Sequence, residues 1–281
     1  MDERYLTSFA DQESALSYTG GGETLISPQV SLVGVDEVVY SKEIPNESKI
    51  RFAKDEETGK LYFIVDGGGE IDPTAGYVDL GLSVMWADRN VGAKTPQDYG
   101  LYFSWGNVDG HAVDENGNVI DGYLFDKNAY ATTLGGQYTG STLDAEHDAA
   151  TVNMGSYWRM PTSGETLELV NNTEQYYIDL SGNTVAKSEL DGSKLRSVCF
   201  VKKGEEFDYN NRSNFIEFPF AANCFDSLLG SEGLYGFVWS SIVRFARVEY
   251  ARSFYFGSDG LLDGDYYYKR FYGCSVRGVR A

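Results

Sequence analysis

The sequence predicts an α+β fold dominated by short strands, with a small β-rich module over residues 1–75 and one larger domain over 76–281. Three observations predict it. The 281 residues include 32 Gly, 16 Phe and 21 Tyr, a composition of many turns and ring-rich pleated surfaces. Apolar residues come in short runs bounded by turn residues and seldom recur at helical spacing. One clear helix start interrupts the strands, at Pro161-Thr162-Ser163-Gly-Glu-Thr-Leu-Glu-Leu-Val. It has a Thr/Ser cap, an early Glu and apolar Leu167, Leu169 and Val170. A chain of this length has room for one large or two modest domains and a substantial core.

In chain order, two glycine triplets at 20–22 and 67–69 bracket the first module. Neither is followed by Gly-Lys-Ser/Thr and a helix, so they read as linkers and not as phosphate loops. Strands are predicted at 30–35 and 37–40, and a hairpin joins Arg51-Phe-Ala-Lys to Leu61-Tyr-Phe-Ile-Val through Asp55-Glu-Glu-Thr-Gly-Lys. So few short strands bury little core, so the module is expected to pack against copies of itself or another subunit, a homotrimer being favoured. In the larger domain, Asp114-Glu-Asn-Gly117 between Val113 and Val119 reads as a hairpin tip. Its glycine is misplaced for a calcium loop. Strands follow at 196–201, 215–220, 236–240, 253–256 and 275–279.

Composition excludes several functions. A net charge of −19 argues against a nucleic-acid partner, which needs a basic face. No stretch approaches the roughly 20 apolar residues of a membrane span. Residues 1–10 lack the basic start and apolar run of a secretory leader, so synthesis in the cytoplasm with reduced thiols is expected, and the sequons at Asn46, Asn171 and Asn211 carry no meaning there. Cys199, Cys224 and Cys274 are odd in number and widely spaced, which is neither a disulfide framework nor a zinc pattern. Two histidines, His111 and His147, are too few for a triad or a histidine metal centre. Asp144-Ala-Glu-His147-Asp148 reads as a solvated loop and Glu205-Glu206 as a charged turn. No catalytic residue, metal or cofactor is predicted, and the chain is read as a non-enzyme.

The segment 239–281 differs from everything before it. Eleven of its 43 residues are Phe, Tyr or Trp, and it holds seven Lys/Arg against four Asp/Glu in an otherwise acidic chain. Aromatics and arginines interleaved with Ser and Gly are the chemistry of paratopes, where rigid rings supply area and Arg supplies forked hydrogen bonds. The alternative is a pair of buried strands with a Tyr-rich hairpin. The candidate binding residues are Val243, Arg244, Phe245, Arg247, Val248, Tyr250, Arg252, Phe254, Phe256, Asp259, Leu261, Asp265, Tyr266, Tyr267, Tyr268 and Phe271. Strand alternation puts Arg252, Phe254 and Phe256 on one face and Ser253 and Tyr255 on the other. Period alone leaves open which face is outward, so Tyr255 can replace its neighbours.

Six blocks in series carry a resemblance: Tyr77-Val-Asp-Leu-Gly-Leu-Ser-Val-Met-Trp86-Ala, Asn90-Val-Gly-Ala, Tyr99-Gly-Leu-Tyr-Phe-Ser-Trp105-Gly, Tyr157-Trp-Arg-Met-Pro-Thr162, Val238-Trp-Ser-Ser241 and Tyr272-Gly-Cys-Ser-Val-Arg277. Over 76–281 the chain resembles the C-type-lectin-like domains of gut bacteria and their phages, distantly similar to the formylglycine-generating enzyme fold. Cys274 stands where that family usually has Phe. Within it, the C-terminal segment resembles the variable proteins of diversity-generating retroelements, in which a reverse transcriptase rewrites Asn codons. Asn occurs 14 times in residues 1–223 and never in 224–281. Glu249 and Lys269 are not reachable from an Asn codon by its first two bases and are expected to be fixed.

The resemblance implies a phage tail-tip adhesin that binds a host cell-surface protein or glycan through a face drawn from 239–281, without membrane insertion, and that resides in the virion. Segments Ser8-Phe-Ala-Asp and Ser27-Pro-Gln-Val-Ser-Leu look like virion-protein openings. Alternatives are a host-encoded surface or pilus-tip adhesin and, third, an enzyme of the formylglycine-generating type. That enzyme needs a reactive cysteine pair, and Cys274 has no partner near it in sequence; fold does not confer chemistry. Lectin-type calcium binding is unsupported, since Glu43-Ile-Pro-Asn46 is interrupted and lies outside the domain. Trp86, Trp105, Trp158 and Trp239 are expected in the core.

Overall fold

The computed structural model describes residues 76–280 and, as backbone, the strands at 49–54 and 61–66. The chain divides into two compact units, 1–70 and 71–281, where the sequence reading drew the boundary at 75/76. In the first unit, β1 (Lys49–Lys54) and β2 (Leu61–Asp66) pair antiparallel, with Phe52 opposite Phe63. This is the hairpin read around Asp55-Glu-Glu-Thr-Gly-Lys. The strands expected at 30–35 and 37–40 lie outside the described residues.

The second unit opens with β3 (Tyr77–Val78), β4 (Met85–Asn90) and β5 (Tyr102–Phe103). Four helices follow: α1 (Lys127–Ala131), α2 (Leu134–Gln137), α3 (Ala149–Met154) and α4 (Ser163–Asn172). The remaining strands are β6 (Thr173–Ile178), β7 (Thr184–Val185), β8 (Ser197–Lys202), β9 (Phe215–Pro219), β10 (Cys224–Phe225), β11 (Leu228–Leu229), β12 (Tyr235–Val243), β13 (Tyr250–Gly257), β14 (Leu262–Lys269), β15 (Cys274–Ser275) and β16 (Arg277–Arg280). This is an α+β architecture in which sheet dominates. The main sheet runs β14-β13-β12-β15-β5, a second runs β7-β6-β8-β9, and a third runs β16-β4-β3. That third sheet sets the last strand beside the first ones, with Val279 opposite Trp86.

Local chemistry explains the landmarks. Thr162 caps α4 through the Glu165 backbone N–H, and the Glu165 carboxylate accepts from the Thr162 N–H, closing a capping box. The helix stops at Thr173, which is extended and gives its hydroxyl to the Leu169 carbonyl, and the chain passes straight into β6. No strand was anticipated there. At the hairpin tip, Gly117 has φ +80°, a left-handed position that suits glycine, and Val113 faces Val119. In the acidic run at 144–148, Asp144 and Glu146 are exposed as read, and only Asp148 departs from the solvated reading. Asp148 is buried as the cap of α3, accepting from the N–H groups of Thr151 (2.9 Å) and Met160 (2.8 Å). Glu205 and Glu206 lie exposed after β8, as a turn.

The core has two main parts that share β12. Val238 points into the first, with Trp86, Phe200, Phe218, Phe254 and Phe256. Phe237 and Trp239 point into the second, with Trp105, Trp158, Met160 and Ala251. A strand covered on both faces reads as a continuous apolar run, which Tyr-Gly-Phe-Val-Trp does. All four tryptophans are core residues, and Trp239 donates from its indole nitrogen to the Phe103 carbonyl at 2.7 Å. Arg277 is fully buried. It donates to Asn90 Oδ1, to the Ala87 carbonyl and to the Glu217 carbonyl, each at 2.9 Å, and lies 4.3 Å from the Phe218 ring. Burial drives its pKa down to about 9.

Candidate binding face

The segment 239–281 supplies half of β12, all of β13 and β14, and the connections between them. The 244–249 loop is closed by the Arg244 N–H on the Tyr250 carbonyl and the Tyr250 N–H on the Arg247 carbonyl, both at 2.9 Å. Residues 245–249 are all exposed, and Phe245 is 94% open to solvent. Beside the loop, Arg252 pairs across the strands with Tyr267, and its guanidinium binds Asp265 Oδ2 at 2.7 Å. The Arg244 guanidinium lies 3.4 Å from the Tyr267 ring centre, and Tyr250 meets the same ring edge-on at 5.7 Å. Thus Arg244, Phe245, Arg247, Val248, Tyr250, Arg252, Asp265 and Tyr267 come together at one end of the β13–β14 hairpin.

Other candidates do not join them. Val243 is buried in the second core. Phe254 and Phe256 are buried in the first, Phe254 at right-angle packing against Phe218 (5.6 Å) and Phe256 against Phe220 (5.4 Å). All three belong to the scaffold: Val243 ends β12 inside the second core, and strands of the second sheet cover the face of β13 that carries Phe254 and Phe256. Asp259 and Leu261 are exposed in the turn between β13 and β14. That turn is at the far end of the hairpin, about 25 Å away for an eight-residue strand.

Tyr266, Tyr268 and Phe271 belong to a strip of rings on the opposite face of the sheet. Tyr268 is sandwiched between Phe237 (4.6 Å) and Tyr272 (4.5 Å), both stacked. Burial pushes the Tyr268 phenol well above its usual value. Tyr266 meets Tyr255 at 5.3 Å, and Tyr255 meets Phe237 at 5.1 Å. Phe271 packs on Tyr272 at 4.8 Å and on Phe225 at 6.5 Å. Within 253–256, Tyr255 is therefore the partly open residue, the alternative that strand period left standing, while Arg252 is half-exposed on the other face. Tyr235, Phe237 and Tyr272 were missed, although Tyr-Gly-Phe-Val-Trp at period two signals the first two.

Electrostatics narrows the basic character of the segment. Arg252 is neutralised by Asp265, Arg277 is in the core, and Arg280 lies 3.9 Å over Tyr77. Arg270 is buried and stacked 4.4 Å over Trp105. Its guanidinium donates to the carbonyls of Gly135 (2.6 Å), Tyr138 (2.9 Å) and Val248 (3.3 Å), while its own N–H binds the Glu249 carbonyl (3.1 Å). Arg270 thus ties the exposed loop to α2 and its flank, a role its Lys-Arg-Phe context does not signal. Arg244, Arg247 and Lys269 remain without a carboxylate partner among the described residues.

Among the described residues, no three His, Cys, Asp or Glu gather as a metal site. No family model, no curated protein and no solved structure matches this chain.

Proposed function

We propose that residues 76–281 form a C-type-lectin-like display domain and that the protein is a non-catalytic adhesin, a phage tail-tip receptor-binding protein whose exposed C-terminal positions are diversified by a retroelement. One observation carries this reading. The Asn-free segment divides between side chains that hold the core and a clustered set of large rings and cations that the core does not need. Exposing Phe245 and Val248 costs solubility and returns nothing to stability, and the three cations of this region have no carboxylate partner among the described residues, the pattern expected of a surface kept for a partner. The burial of Trp86, Trp105, Trp158, Trp239 and Arg277, all from the six blocks that carry the resemblance, supports the family reading.

Burial supports the non-enzymatic reading. It raises the thiols of Cys199 and Cys274 well above their usual range and that of Cys224 to about 12, so none offers a ready thiolate. Residues 1–75 would assemble the adhesin, with a trimer raising weak receptor contacts through multivalency. Adsorption of the labelled chain to cells tests the binding reading: simultaneous change of Arg244, Phe245, Arg247 and Tyr267 to Ser should abolish adsorption and leave the fold in place. Adsorption unaffected by that variant refutes it. The surrounding DNA tests diversification, which requires a reverse-transcriptase gene beside a near-copy of codons 240–280 differing at adenines.

A further inference from the structure

The 244–249 loop has a shape and charge that narrow its partner, an inference that rests on the binding reading above. Five successive exposed residues make it a projection and not a hollow. Sites for small ligands and sugars are concave and enclose what they bind. A projecting Phe245, with Val248 66% exposed beside it, suits insertion into a hollow on the other molecule. The cations frame that apolar tip: Arg244 and Arg247 lie in the loop, and Lys269 pairs with Tyr250 at its base. Glu249 is the lone carboxylate in the loop. The Arg244 guanidinium rests on the Tyr267 ring, and Arg244, Arg247 and Lys269 all lack a carboxylate partner among the described residues, so the positive charge around the tip is left uncompensated. Guanidinium forks are matched by carboxylates.

We infer that the loop docks into a folded protein partner that presents an apolar pocket rimmed by Asp and Glu side chains. Phe245 fills the pocket, and Arg244, Arg247 and Lys269 meet the acidic rim. Complementary charge speeds encounter and selects against basic partners, while the buried ring supplies the slow release.

The test uses the full chain as bait for a displayed library of a small folded scaffold with a randomised concave face, beside a panel of neutral and acidic oligosaccharides. Selected scaffolds should carry clustered Asp and Glu around apolar positions. They should bind F245S and the double variant R244S/R247S about tenfold or more weakly than the parent. Their affinity should fall as salt rises from about 50 to about 500 mM, as screening demands. Unchanged thermal unfolding of the variants keeps the comparison valid. Scaffolds that use this loop without an excess of carboxylates, or saturable oligosaccharide binding lost in F245S, overturn the inference and leave the binding face standing. Scaffolds indifferent to all these substitutions overturn the binding face itself.

Discussion

The exposed loop at 244–249 and the tyrosine strip on the other side of the hairpin draw on the same residue types and the same strands. Phe245 has nearly its whole ring in water, whereas Tyr268 has a ring pressed on each face. Arg244 is half-exposed against a single ring, whereas Arg270 is buried, donates to three carbonyls and stacks on Trp105. Composition made these pairs look alike. What separates them is the layer above: Phe237 and Tyr272 cover the strip, and nothing among the described residues covers the loop. An aromatic-rich segment thus holds two things at once, a packed clamp and an exposed loop.

The comparison breaks most sharply at the centre of the clamp. Trp239→Ala should remove about 3–5 kcal/mol of stability, and Phe254→Ala a loss on the same scale, because each empties a fully buried site. Chemical denaturation measures this. A Phe254→Ala protein of parental stability would return that residue to the candidate face.

Arg270→Met should cost about 2–3 kcal/mol, since carbonyls of Gly135, Tyr138 and Val248 lose a charged donor. Amide exchange in 244–249 should rise with it. A stability loss without faster exchange there would mean that Arg270 serves α2 and not the loop.

Tyr268→Ser should cost about 1–3 kcal/mol, less than a fully buried ring because Tyr268 keeps part of its edge in water. Tyr267→Ser, one residue away on the open side, should fall well below it. Equal losses at the two positions would erase the distinction between the strip and the loop.

The smallest effects belong to the display. Phe245→Ser, Arg247→Ser and Val248→Ser should each stay within about 0.5 kcal/mol of the parent. Thermal unfolding reads this directly, and a combined variant that unfolds would make the loop part of the core.

Local signals were legible in the sequence where one short stretch holds all the parts. The Thr162–Glu165 capping box, the Asp114–Gly117 tip and the apolar run through Trp239 each specify their element from neighbours alone. The outward face of β13 was not legible. Arg252 and Phe254 share a parity, yet Phe254 is roofed by Phe200 and Phe218 while Arg252 reaches Asp265. A register shift between Ser253 and Tyr255 further unsettles the period. Asp148 looked like one more surface acid, because the two N–H groups it satisfies arrive from Thr151 and from distant Met160. Arg270 had no signal at all, since the carbonyls of Gly135 and Tyr138 that fix its guanidinium lie more than a hundred residues away.

The pairing of β16 with β4 has a genetic consequence. Arg277 and the strand that starts with it lie downstream of every exposed position in 244–271, and they close the unit against its first strands. A substitution within the display leaves this closing strand untouched. A lost or gained base scrambles it, removing Arg277 from Ala87, Asn90 and Glu217. A change that keeps the reading frame therefore leaves the closure intact, and one that shifts the frame removes it.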